Sequence, residues 1–302
     1  MIRKLICLIL LLMGFYYIYD NDFFGTKQLV RDIKKEVYLP PSSVFTKTNA
    51  ENNFAEITTD FVPDSKQEIL NIYYTVLNAG WNSFTFYCNY DACLSDVNDI
   101  SSNTVLLSNL NNFVSPYNQY STLSTYSNPL LNEKVNISIT RTYDEAMVEA
   151  LESKVDEIYN SLNISSYSIR DQIRTIHDYI INHTKYDTNK IDNVEDTTYK
   201  SDIAYGPLFE GYGICSGYTD AMALFLDKLN IPNFKVASES HIWNLVYLDN
   251  EWYHLDLTWD DPYSAAGADT INHNFFLISY ETLVQWNTGK HNFDQSIYTE
   301  AL

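Results

Sequence analysis

Gly211-Tyr-Gly-Ile-Cys215-Ser-Gly-Tyr-Thr-Asp-Ala-Met-Ala-Leu-Phe-Leu226 is the stretch that decides how this chain folds. Residues 221–226 are apolar on every side, so they read as a helix buried in the core, not one lying on its surface. Asn230, Ile231 and Pro232 close it. Cys215 then stands at the start of a central helix, between Gly213 and Gly217. Backbone N–H groups and the helix dipole favour negative charge there, which activates a thiol that ordinarily titrates at about 8.5. The flanking glycines are expected to let a substrate approach the backbone. Taken alone, Cys215 reads more readily as a small buried hydrophobe, and its glycine neighbours shift the balance.

Three strand-like runs follow, at 234–240, 241–248 and 251–259, with Asp249-Asn250 as a tight-turn pair between the last two. A two-residue loop sets Leu248 opposite Glu251, Trp243 opposite Asp256 and His241 opposite Thr258. His241, Trp243, Asp256 and Thr258 then share one face, with His241 and Asp256 as diagonal neighbours. A slip of one residue would send Asp256 to the opposite face. A thiol, an imidazole and a carboxylate are the parts that acyl transfer needs: nucleophile, base, and a group that orients the base. His254 is a second-choice base. Asp260-Asp261 reads as a turn and only weakly as a metal pair, and zinc on Cys215, His241 and Asp256 lacks a close-spaced ligand pair. Gly213-x-Cys215-x-Gly217 imitates a nucleophile elbow, but the order Cys, His, Asp is not that of an α/β-hydrolase.

Residues 165–265 resemble the transglutaminase-like superfamily. The marks are Ile176-His-Asp-Tyr-Ile180, Tyr186-Asp187, Tyr205-Gly206, Gly213-Ile-Cys215-Ser-Gly-Tyr218, His241-Ile-Trp-Asn244 and Trp252-Tyr-His-Leu-Asp-Leu-Thr-Trp-Asp-Asp-Pro262. The resemblance implies an α+β, papain-like core, with the nucleophile helix packed on an antiparallel sheet. It also implies a catalytic triad of Cys215, His241 and Asp256, working without cofactor or metal through a thioester. The calcium sites of animal transglutaminases are not recognisable. The family holds cross-linkers, peptidases, amidases and non-catalytic members. Hydrolysis of a peptide or carboxamide is favoured, because water is abundant unless a site excludes it. The alternative is a non-catalytic surface interaction module.

The remainder of the chain sets the context. Of 302 residues, 39 are Asp or Glu and 19 Lys or Arg, a formal charge of −20 that repels phosphate backbones and excludes general nucleic-acid binding. The apolar run 5–19 follows Arg3-Lys4 and reads as a signal-anchor or signal peptide, residues 1–19. This places the chain at the cell membrane with its catalytic domain outside, or secreted, acting on protein, peptide or cell-wall substrates. Residues 20–62 read as a stalk, 63–141 as a small α+β region and 142–302 as the catalytic domain. Ser65-x-x-Glu68 and Thr142-x-x-Glu145 read as capping boxes opening helices. A further helix carries Ile169, Ile173, Ile176 and Ile180, with His177 expected to pack or cap. Cys88 and Cys93 are expected to form a disulfide if the chain is exported.

Overall fold

The computed structural model describes residues 2–26, 39–48, 52–128, 134–261, 271–286 and 289–302. The apolar start forms helix α1 (Ile2–Asp20), with Leu8, Leu11, Met13 and Phe15 exposed. Among the described residues no helix is long and apolar enough to cross a membrane. Residues 39–48 and 52–62 carry no regular element but do not stand free as a stalk would. Lys47 is buried against Asp227 at 3.2 Å, Phe45 packs on Tyr117, and Ala55 and Phe61 enter the core.

Helix α2 (Lys66–Asn78) begins at Ser65, whose side chain accepts from the Glu68 N–H, while Glu68 reaches back to the Asp64 N–H at 2.7 Å. Its face of Ile69, Ile72, Tyr73 and Val76 is wholly buried, each side chain being worth about 1.5–3 kcal/mol. It lies against strand β1 (Ser83–Tyr87), helices α3 (Cys93–Ser102) and α4 (Thr104–Asn112), and strands β2 (Tyr120–Asn128) and β3 (Lys134–Arg141). The sheet is antiparallel in the order β1-β3-β2. Cys88 and Cys93 are disulfide-bonded at the start of α3.

Helix α5 (Glu145–Leu162) takes Asp144 as its cap, not Thr142: the Asp144 carboxylate accepts from the Met147 N–H. Helix α6 (Ile169–His183) starts at Ser168. A short parallel pair, β4 (Lys185–Tyr186) with β5 (Tyr212–Gly213), is separated by helix α7 (Thr188–Asp192) and leads into α8 (Cys215–Lys228). Strands β6 (Asn233–Ala237), β7 (Ile242–Leu248) and β8 (Glu251–Leu255) form the second antiparallel sheet, in that order. Helices α9 (Leu257–Asp260) and α10 (Tyr280–Trp286) follow the sheet.

The expected α+β fold, a helix against an antiparallel sheet, is present. Phe234, Val236, Trp243 and Leu245 join α2, β1 and β3 in one apolar cluster. Val246 and Leu255 join α5, α6 and α8 in another. The second sheet therefore serves both clusters, and the core is not divided at residue 141.

Candidate active site

Cys215 is the first residue of α8, and the residue before it, Ile214, offers no side-chain cap. Two contacts to β7 fix the helix on the sheet: the Thr219 hydroxyl donates to the Ile242 carbonyl at 3.1 Å, and the Asn244 amide to the Thr219 carbonyl at 3.0 Å. Farther in, the buried Asp220 carboxylate takes Lys235 at 2.8 Å, Gln119 at 3.0 Å and Tyr143 at 2.8 Å. Breaking such a satisfied buried network is costly, because each remaining partner is left desolvated.

The glycines do something other than the sequence suggests. A Cβ on Gly217 would lie 2.2 Å from the Ser201 carbonyl oxygen, and one on Gly213 would lie 2.8 Å from the Tyr218 ring. Both positions are filled by the protein's own atoms, so the glycines allow the first turn of α8 to close on its neighbours and open no path to the backbone.

The hairpin register is Leu248 opposite Glu251, continuing to Asn244 opposite Leu255. Asp249 and Asn250 both have positive φ, at 55° and 67°, as a tight two-residue turn of this hand requires. The third strand does not run to Trp259. It ends at Leu255, because Asp256 turns its carboxylate onto its own chain and caps α9. Asp256 Oδ1 accepts from the Thr258 N–H at 3.0 Å, the Thr258 hydroxyl at 2.6 Å and the Trp259 N–H at 3.3 Å. His241 likewise lies just before β7, outside the ladder. The two still meet: His241 Nε2 lies 2.5 Å from Asp256 Oδ2. The Cys215 thiol acts on the same imidazole and helps to raise its pKa. With Nε2 held by the carboxylate, Nδ1 is the nitrogen left for sulfur.

Burial opposes the charging of His241, but the charge of the Asp256 carboxylate, and then the hydrogen bond that Asp256 accepts and the influence of Cys215, push its pKa up to about 10. Its stabilising contribution is complete below pH 6.5 and is lost as pH rises through about 10. Asp256 responds conversely. Burial would raise it, yet the charge of His241 and bonds from two imidazoles hold it well below the carboxylate range. Burial, followed by the charges of Cys215 and Asp256, pushes the nearby Tyr186 phenol up to about 12.

The second imidazole is His291, which the sequence reading did not include. Its Nε2 lies 2.8 Å from the same Asp256 Oδ2, and its ring stacks on Phe275. It is a lone His in a polar stretch 35 residues beyond Asp256, with no local pattern to mark it. His254, the second-choice base, is structural. It is buried, its Nδ1 accepts from the Trp243 indole at 2.9 Å, and its Nε2 donates to the Ala301 carbonyl at 2.9 Å. Burial brings its pKa down to about 4, so it is neutral at physiological pH. Asp260 and Asp261 are not a metal pair: Asp260 accepts from His177 Nε2 and the Phe275 N–H, and Asp261 from the Tyr218 hydroxyl at 2.6 Å.

A thiol at the start of a helix and an imidazole and carboxylate just beyond the ends of two neighbouring strands belong to an α+β protein. Residues 154–257 match the family model of the transglutaminase-like superfamily. Three solved structures are similar at low identity. A TGase shares 18% identity over 50% of this chain and 48% of its own, with a TM-score of 0.36. A candidate cysteine protease from Cytophaga hutchinsonii shares 12% over 45% and 61%, at 0.28. A candidate protease from Parabacteroides distasonis shares 11% over 44% and 36%, at 0.22. The chain thus spans less than two thirds of the length of each. No curated protein matches it.

Proposed function

We propose that this chain is a thiol enzyme that cleaves or transfers acyl groups at peptide or carboxamide bonds, with Cys215 as nucleophile, His241 as base and Asp256 as orienter. The observation that carries the reading is the position of His241, 2.5 Å from the Asp256 carboxylate and near enough to Cys215 for the thiol to help raise its pKa. An imidazolium beside sulfur stabilises negative charge there, and the first turn of a helix adds to it. The thiolate attacks the carbonyl carbon, and the C–N bond breaks as His241 delivers its proton to the leaving nitrogen. A thioester remains on Cys215. His241, now neutral, takes a proton from water, which attacks the thioester and restores the thiol and a free acid. An amine in place of water would give a cross-link, and hydrolysis is the outcome proposed, since water needs no binding site of its own. The Cys215 N–H is assigned to the oxyanion.

We assign the enzyme to the outer face of the cell membrane, with α1 as the tether. The exposed apolar side chains of α1 and the disulfide between Cys88 and Cys93 support an oxidising compartment with a lipid surface at hand. Protein, peptide or cell-wall fragments would be the substrates.

The test is mass spectrometry of the intact chain after incubation with glutamine-containing peptides and peptide wall fragments. An acyl adduct on Cys215, absent in C215A and in H241A, is expected. No adduct, together with no release of ammonia or amine from any of them, would leave the non-catalytic module as the correct reading.

A further inference from the structure

A second cluster of histidines and carboxylates lies behind the candidate active site. His177 and Asp178 are neighbours on α6, and His273 comes from the segment ahead of α10. His177 Nδ1 and His273 Nε2 each lie 2.8 Å from the same oxygen, Asp178 Oδ1. The ligand atoms of the three residues fall within 4.8 Å of one another. His177 is fully buried and passes its other nitrogen, Nε2, to the buried Asp260 carboxylate at 3.2 Å. Asp178 and His273 are about one-third exposed, at 33% and 29% of their side chains, so the cluster opens to solvent on one side.

We propose that His177 Nδ1, Asp178 Oδ1 and His273 Nε2 bind a divalent ion of the zinc type, with water in the fourth position. Two imidazoles and a carboxylate form an ordinary ligand set for such an ion. Tetrahedral bonds of about 2.0–2.1 Å set ligand atoms roughly 3.3 Å apart, so the 2.8 Å pairs would open by only about half an ångström. Asp260 supplies what metal-bound imidazoles regularly have, a carboxylate on the second nitrogen that fixes tautomer and ring plane. The other such cluster, His241, Asp256 and His291, is less suited: all three are buried, and Asp256 is already committed through both oxygens.

The bound ion would work as a clamp. It joins α6 to residues 271–279, where Phe275 donates its N–H to Asp260 and stacks its ring on His291. The segment that packs against the candidate active site is thereby tied to the helix beneath it. Sequence spacing hides the site, because its ligands are 95 residues apart.

The full chain in detergent, stripped with EDTA, is titrated with zinc sulfate by calorimetry, and its melting temperature is followed. One equivalent is expected to bind, raising the melting temperature by about 5 °C at a hundredfold excess over the dissociation constant. H273A and D178N should abolish that event. Asp260→Asn, which removes no ligand, should weaken it about 10–100-fold. C215S should leave it intact, which separates this site from the thiol. Circular dichroism establishes that each variant is folded. Absence of binding, equal binding by folded H273A, or loss of binding in C215S would overturn the proposal. None of these readouts depends on enzymatic turnover.

Discussion

Gly217→Ala sets two effects of opposite sign against each other. In a helix interior, alanine in place of glycine ordinarily gains about 1 kcal/mol. Here the added methyl would stand 2.2 Å from the Ser201 carbonyl oxygen and 3.1 Å from that of Ile203, where ordinary contact begins at 3.4 Å. The shortfall at Ser201 is therefore about 1 Å, against backbone and not a flexible side chain. Ser201 is held in place: its hydroxyl donates to Asp187 at 2.6 Å, and its carbonyl accepts from the Ile214 N–H at 2.8 Å. The first turn of α8 must move instead, and Cys215 moves with it. Overpacking of this kind costs about 1–3 kcal/mol, so sterics should at least offset propensity and leave a net loss of up to about 2 kcal/mol. A displacement near 1 Å at the nucleophile should slow its chemistry by about 100-fold. Urea unfolding gives the first quantity, and the rate of Cys215 alkylation, read by peptide mass spectrometry, gives the second. A variant as stable as the parent, with an unchanged alkylation rate, would refute the packing argument.

The remaining predictions rest on other contacts. Asp256→Asn keeps an oxygen for the α9 cap but removes the charge opposite His241, so turnover should fall about 10³–10⁴-fold while circular dichroism is unchanged. His254 has a folded-state pKa near 4 against an ordinary 6.5, so the unfolded chain takes up a proton that the folded chain refuses. Stability complete above pH 6.5 is therefore lost as pH falls towards 4, by about 3 kcal/mol. H254Q can still accept from Trp243 and donate to Ala301, and urea titrations at pH 7 and pH 4 should show it losing less stability than the parent across that interval. Replacing both Cys88 and Cys93 by serine should cost about 2 kcal/mol by loop entropy, seen as a lower urea midpoint with an unaltered site.

Much of this was legible in the sequence, because local signals agreed with the tertiary outcome. The all-round apolar run 221–226 could only be a buried helix, and Asp249-Asn250 pinned the hairpin register to within the residue. Where reading by alternation ran too far, a side chain had intervened: Asp256 ends β8 by capping α9, and the same capping aims its second oxygen at His241. Strand β2 was not foreseen. Its Ser, Thr and Tyr residues face solvent for much of their length, so no apolar alternation announces it, and pairing with β3 alone makes it a strand. Asp144 displaced Thr142 as the α5 cap, since both are good caps within two residues of each other and only backbone geometry chooses. His291 and His273 were invisible for a different reason. Each meets its partners only through long-range folding, at sequence separations of 35 and 95 residues, and a single histidine carries no pattern.

The central claim is that His241, charged and held by Asp256, acts directly on the sulfur of Cys215. The most direct measurement is the iodoacetamide labelling rate of Cys215 at pH 6, resolved from that of Cys7, in the parent chain, H241Q and D256N. The account predicts that Cys215 labels much faster than Cys7 in the parent, and that each substitution slows it at least tenfold without touching Cys7. Equal rates at the two cysteines, unchanged by either substitution, would contradict it.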